Sequence, residues 1–219
     1  MPVDLGYPAL GWFGSEIALH RGASVLRQVA PPSVEPILLA EAKAHLKVEA
    51  TAEDALIQGW IVAARQLVEA ETRRAMTPQD WELRLTGFPG RCEPVELPLP
   101  PFISLLSIST YDAAGTATVL SADGWQVDAP SGDFATPALV YPGTTAFWPT
   151  SVARLRGSVR IRYRAGYAGP GTVPASLRAA MFLLIGDWYE NREGTQNRNL
   201  QANPAVERLL APYRLPRIL

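Results

Sequence analysis

The hydrophobic period of this chain changes twice, and the order of those changes constrains the fold more than any single motif does. Apolar residues first recur at helical spacing, with Leu39, Ala42 and Leu46 in LAEAKAHL and Leu56, Trp60, Ile61, Ala64, Leu67 and Val68 in the segment after it. From Gln79 to about Gly166 the spacing becomes two. Trp81, Leu83 and Leu85 alternate with Glu82 and Arg84; Val159, Ile161 and Tyr163 alternate with Arg160, Arg162 and Arg164; Ile103 to Tyr111 is a third strand candidate. Turn dipeptides at Thr86-Gly87, Ala114-Gly115, Asp123-Gly124, Ser131-Gly132 and Pro142-Gly143 divide the region. Helical spacing then returns in VPASLRAAMFLLIGDWYENR, Val173 to Arg192, where Leu177, Met181, Leu184 and Trp188 form a stripe widened by Ala180 and Ile185. This order reads as an α+β fold: a helical bundle formed by N- and C-terminal helices, with an inserted antiparallel β module. The two helical stretches must then meet in space.

Punctuation residues set the boundaries. Residues 1–36 carry so many glycines and prolines that no period grows, and read as an N-terminal arm with a short strand at Ser24 to Val29. Trp12, Phe13, Ile17 and Leu19 are poorly suited to a free tail, so the arm is expected to lie on something. Residues 37–78 form the first helical segment. Thr51 and Asp54 approximate a capping box for its second helix, Glu69 and Arg73 are spaced to pair on its wet side, and Thr77-Pro78 ends it. The β module occupies 79–168 and a second helical segment 169–202, with Pro174 suited to a first helical residue. In the C-terminal helix and tail, 203–219, Asn203 is the cap and Pro204 the first residue.

That tail is marginal alone. Ordering its residues costs roughly 1 to 2 kcal/mol each, while burying Val206, Leu209, Leu210, Tyr213, Leu215, Ile218 and Leu219 returns roughly 1.5 to 3 kcal/mol apiece. It is expected to order by docking, on its own subunit or on another, and its removal is expected to leave a folded subunit.

Composition narrows the function classes. Hydrophobic residues make up 47% of the 219, enough for a substantial core. A net charge of -1 argues against bulk attraction to nucleic acid. One cysteine, Cys92, excludes an internal disulfide. The N-terminus lacks a secretory pattern and no apolar run reaches eighteen residues, so a soluble cytoplasmic product without membrane association is expected.

Each constellation that could carry chemistry has a plainer reading. Asp187, Glu190, Asn191 and Glu193 gather at the end of the 173–192 helix with Tyr189 and Arg192 among them. A divalent ion would want such oxygens, but a polar helix end pairing with a neighbour's arginines accounts for them better, because carboxylates there oppose the helix dipole. Arg160, Arg162 and Arg164 share one strand face, suited either to phosphates or to cross-strand carboxylates such as Glu82. His20 and His45 are the only histidines, and nothing brings them to each other or to Cys92. GPGT at Gly169 lacks the lysine and spacing of a phosphate loop. No metal site, cofactor site or catalytic set is expected, and the chain reads as a non-enzyme. Trp125, Phe134, Tyr141, Phe147 and Trp148, near Asp112, Asp123 and Asp133, leave open a carbohydrate-binding or hydrolytic module.

The order of features resembles the head-tail connector, or adaptor, proteins of tailed bacteriophages and gene transfer agents. The resemblance rests on LAEAKAHLKV (Leu39 to Val48), EDALIQGWIVAARQLVEAETRRAM (Glu53 to Met76), WELRL, ELPLPPFISLLSI (Glu96 to Ile108), VRIRYRAGY (Val159 to Tyr167), VPASLRAAMFLLIGDWYENRE (Val173 to Glu193) and VERLLAPYR (Val206 to Arg214). It implies a virion structural protein of the capsid neck, made in the bacterial host cytoplasm. Its copies would form a ring, dodecameric by resemblance, beneath the portal protein and present its far side to stopper or tail-completion proteins. DNA would pass through the channel without sequence-specific binding. The resemblance assigns portal binding to the C-terminal segment, here Val206, Leu209, Leu210, Tyr213, Arg214, Leu215, Arg217 and Leu219. Asp187, Tyr189, Glu190, Arg192, Glu193, Arg160 and Arg162 are the expected subunit or partner contacts.

Overall fold

The computed structural model describes residues 16–19, 24–143, 147–149, 157–191 and 203–216. The fold is α+β. In chain order the main elements are β1 (Glu16–Leu19), β2 (Ser24–Ala30), α1 (Leu39–Leu46), α2 (Asp54–Thr72), β3 (Gln79–Leu85), β4 (Val95–Leu97), β5 (Phe102–Tyr111), β6 (Ala117–Val119), β7 (Trp125–Asp128), β8 (Ala138–Pro142), β9 (Val159–Ala165), α3 (Ala175–Glu190) and α4 (Pro204–Leu210).

Six strands form one antiparallel sheet in the order β1-β2-β3-β9-β5-β6, and β4-β8-β7 form a second. The alternation seen in β3 and β9 sets the sheet's two faces. Leu83 pairs with Ile161 and Trp81 with Tyr163 on the inner side, while Glu82 pairs with Arg162 on the outer. Inner residues Leu26, Trp81, Leu83, Ile108, Val159, Ile161 and Tyr163 join Val95, Leu97, Ala138 and Val140 of the second sheet in one buried cluster. The strand expected at Ser24 to Val29 is β2, which pairs along β3 and so belongs to this sheet.

Three register shifts interrupt the ladder. One extra residue sits between Gln28 and Ala30 of β2, one between Phe102 and Ser104 of β5, and one between Leu105 and Ser107. The extra residues are Val29, Ile103 and Leu106, exposed by 46%, 41% and 47%. A bulge leaves its extra residue out of the pairing, and here that residue is an aliphatic each time.

The helices share a separate core. Ile57, Ile61, Ala64 and Val68 of α2, Leu177, Ala180, Met181 and Ile185 of α3, Ala42 of α1 and Val206 and Leu210 of α4 are buried in one cluster. The stripe on α2 is therefore rotated from the expected one: Leu56 and Leu67 are exposed, and Ile57 takes the inward position. Nor does Thr51 cap this helix by its side chain. The helix begins at Asp54 after Glu53, and ends where Arg73, at φ 57°, takes the left-handed conformation and donates its N–H to the Glu69 carbonyl.

Glu69 does not pair with Arg73 on the wet side. It lies buried, where one oxygen accepts from Arg65 Nη1 at 2.8 Å and the other from the Met76 N–H at 2.9 Å and Gln79 Nε2 at 2.6 Å. Arg65 Nε also donates to Glu35 at 2.7 Å, and Gln28 of β2 donates to Gln79. Burial pushes the Glu69 carboxyl upward, opposed by the Arg65 charge and the two other donors. A polar chain thus runs from β2 through β3 to α2, under the turn where the helical core gives way to the sheet core.

Gly166, directly after β9, makes the return possible. Its φ is +131°, its N–H donates to the Pro101 carbonyl at 2.8 Å, and a Cβ there would lie 2.2 Å from the Thr77 carbonyl oxygen. Only glycine fits.

Candidate interaction surfaces

The C-terminal segment docks on its own subunit. Pro204 opens α4, Asn203 caps it by accepting the Ala205 N–H at 3.0 Å, and seven residues are too few for a helix to persist by itself. What holds it is burial of Val206 and Leu210, then of Tyr213 in the following 3-10 turn. Removing 204–219 would therefore open the helical core, contrary to the expectation that a truncated subunit stays folded. The reason is that three of the tail's apolar residues complete this core. Leu209 is half-buried beside it, Leu215 donates its N–H to the Thr72 carbonyl at 3.2 Å, and Arg214 pairs with Glu71 at 2.8 Å on the surface. Arg217 and Leu219 lie outside the described residues.

Arg74 ties this segment to the β module. It is buried at 2% exposure, and donates from Nε to the Tyr213 carbonyl at 2.8 Å and from Nη1 to the Ala135 carbonyl at 2.6 Å. Burial lowers its pKa while the nearby Tyr167 and Tyr213 phenols oppose the shift. Burial likewise pushes Tyr167 up to about 12, so its hydroxyl remains protonated and donates to the Asp133 carbonyl at 3.0 Å. Phe134, on the surface, stacks on Tyr213 with centroids 5.0 Å apart. No sequence signal singled out Arg74, because a lone arginine after a helix has no spacing to read.

At the end of α3, Asp187 and Glu190 are exposed, and Tyr189 donates its hydroxyl to Glu53 Oε2 at 2.9 Å while Trp60 meets its ring edge-on at 5.8 Å. Asp187 accepts from Asn191 Nδ2 through both its backbone and side-chain oxygens at 3.0 Å. Arg192 and Glu193 are outside the described residues. Arg160 and Arg162 lie elsewhere, on β9. Arg162 donates to Glu82 at 2.8 Å, Arg84 donates to the same carboxylate at 2.7 Å, and Arg160 lies over the Tyr111 ring at 4.2 Å. Glu82 is buried beneath its two guanidinium partners. Burial alone would raise its pKa, but hydrogen bonds from Arg162 and Arg84 and their charges outweigh that and hold it below the usual carboxylate value. The cross-strand partner named for the arginine stripe is thus present.

The aromatic residues of the β module form no common platform. Trp148 is buried, stacked on Phe88 at 4.4 Å, with its Nε1 donating to the Glu93 carbonyl. Phe147 is exposed under the Arg91 guanidinium, and the β7–β8 register puts Trp125 and Tyr141 on opposite faces. His45 packs on the Phe182 ring at 5.1 Å, and His20 is outside the described residues. Among the described residues there is no cluster of three or more metal-ligating side chains, and no helix is long and apolar enough to cross a membrane.

Residues 36–114 match the family model described as phage gp6-like head-tail connector protein. The chain is similar to a chain in the neck of an empty gene transfer agent particle computed with C6 symmetry, at TM-score 0.72 and 27% identity over 89% of this chain and 97% of that one. It is similar, at TM-score 0.70 and 26% identity, to a chain in the virion of the native gene transfer agent particle, with 89% and 97% covered. A chain from the neck of the native particle computed with C12 symmetry gives TM-score 0.69 and 26% identity over the same shares. No curated protein matches the chain. The resemblance to head-tail connectors of phages and gene transfer agents is established by these findings, and such a connector has a structural role in the virion neck.

Proposed function

We propose that the chain is a ring-forming adaptor of a phage or gene transfer agent neck, seated beneath the portal and linking it to stopper or tail-completion proteins. The observation that carries this reading is the similarity to neck chains over 97% of their length, joined to the family match over residues 36–114. A bundle of α1 to α4 would make the ring wall and the β module would project from it. DNA would cross the ring without sequence-specific contact, and the subunit would be made in the host cytoplasm. With Val206, Leu210 and Tyr213 turned into the subunit, portal contact would fall to the segment's outer side: Glu207, Arg208 and Arg214, with Leu209 and Leu215 at its margin and Arg217 and Leu219 beyond. Asp187, Tyr189 and Glu190, Arg192 and Glu193 after them, and Arg160 and Arg162 on the sheet would serve contacts among subunits or with the next neck protein.

Replacing Arg208 and Arg214 together by glutamate tests the portal assignment without touching the core. The variant should keep its circular dichroism spectrum and melting point yet no longer be captured by portal-bearing heads. Capture at the wild-type level would refute the assignment of that surface.

A further inference from the structure

The three bulges of the six-stranded sheet are better understood together than singly. The register places Ala30, Asp80, Arg164 and Ser104 in one row across the outer face, and Arg27, Glu82, Arg162 and Ser107 in the next. Val29 flanks the first row at one end and Ile103 at the other, while Leu106 flanks the second. Between them the face carries, by register, five arginines, at 27, 84, 160, 162 and 164, against three acidic positions, Asp80, Glu82 and Glu16 opposite Arg27. The outer face is therefore a cationic centre with exposed aliphatic margins. Bulges more often blunt a sheet edge than decorate it with apolar groups, so three aliphatic ones on a charged face call for a cover.

A face of the opposite kind lies on the helices. Glu53, Leu56, Trp60, Ala63 and Leu67 follow at alternating spacings of three and four along one side of α2, with Leu56 45% and Leu67 37% exposed. Asp187 and Glu190 stand exposed on α3, whose Tyr189 is bound to this side of α2 through Glu53 and Trp60. The basic residues within α2 and α3 are Arg65 and Arg178, and both are already ion-paired, to Glu35 and Glu69 and to Glu41. This second face is thus aliphatic at its centre and anionic at its rim.

We propose that the outer sheet face of one copy receives the α2–α3 face of a second copy, head to tail. The inference deepens the neck reading and rests on it. A closed ring requires each subunit to present two different, mutually complementary patches, and these two match in both apolarity and sign.

Thiol cross-linking within assembled particles tests it. In a Cys92→Ser background, Leu106→Cys and Leu56→Cys are introduced singly and together, and necks are treated with a short bis-maleimide. The double variant should give a ladder of covalent oligomers beyond the dimer, and each single variant should remain monomeric. Ile103→Cys with Leu67→Cys repeats the measurement should Leu106→Cys disturb folding. Dimers from Leu106→Cys alone would mean that the sheet face packs on its own counterpart, and would overturn the proposal. So would monomers from both double variants when the chain is present in the necks, an outcome that leaves the neck reading intact. A wild-type chain absent from the necks would sink that reading and the inference with it.

Discussion

Replacing Glu69 by alanine removes the acceptor for three donors at once, and the structure fixes what each loss entails. The Met76 N–H and the Gln79 amide, both fully buried, would be left without an acceptor at about 1 to 3 kcal/mol each. Arg65 would keep Glu35 and lose one of its two carboxylates. The charged group thus remains paired, so the total stays near the range for breaking a buried pair, about 3 to 5 kcal/mol. Against a typical domain stability of about 5 to 15 kcal/mol this is a large fraction. For a chain of this size it corresponds to a fall in melting temperature of about 6 to 20 °C. Differential scanning calorimetry of the purified chain at neutral pH reads it directly. Glu69→Gln, which keeps the shape and one acceptor oxygen but turns an amide N–H toward a donor, should fall between wild type and alanine. A loss under about 3 °C for Glu69→Ala would show that solvent or rearrangement satisfies the stranded donors, and would refute the view that this network joins the two cores.

Other consequences are as direct. Gly166→Ala should destabilise by several kcal/mol, on the order of 3 or more, because the new Cβ meets the Thr77 carbonyl at 2.2 Å in a backbone conformation that alanine avoids; urea unfolding midpoints measure it. Glu82 has a depressed pKa in the folded state. Its stabilisation is therefore present above the unfolded value of about 4.3 and lost as pH falls through the lower folded value, so wild type should lose stability more steeply than Glu82→Gln below about pH 4.5. Parallel slopes in acid unfolding would contradict this. Arg74→Met should cost about 2 to 4 kcal/mol and expose residues 203–216 to limited proteolysis, while leaving the spectroscopic signature of the sheets in place.

How much of this was legible in advance depends on the kind of interaction. The span of α1 and the alternation in β3 and β9 follow from side-chain period alone, so both were readable. The stripe on α2 was misplaced by one position, since Leu56, Ile57, Trp60 and Ile61 supply two adjacent apolar lines and only packing against α3 selects between them. Glu69 had i+4 partners in either direction along the helix, and the sequence could not show that the Arg65 side faces Met76 and Gln79. Bulges leave no mark in composition: Ile103 and Leu106 look like ordinary strand residues until the pairing skips them. Of the C-terminal segment, the cap at Asn203 and the proline after it were evident, whereas its seat against Arg74 and Phe134 depends on residues 61 to 139 positions apart.

That separation has a consequence for the order of folding. The partners of Arg74 at Ala135 and Tyr213 lie 61 and 139 residues along the chain, so both contacts close long loops and neither can nucleate the fold. During synthesis α1, α2 and the whole β module exist before Val206, Leu210 and Tyr213 are made, and until then the helical cluster is an open cleft. The 203–216 segment is a late plug: its Val206, Leu210 and Tyr213 close the helical cluster only after the rest of its lining has been made.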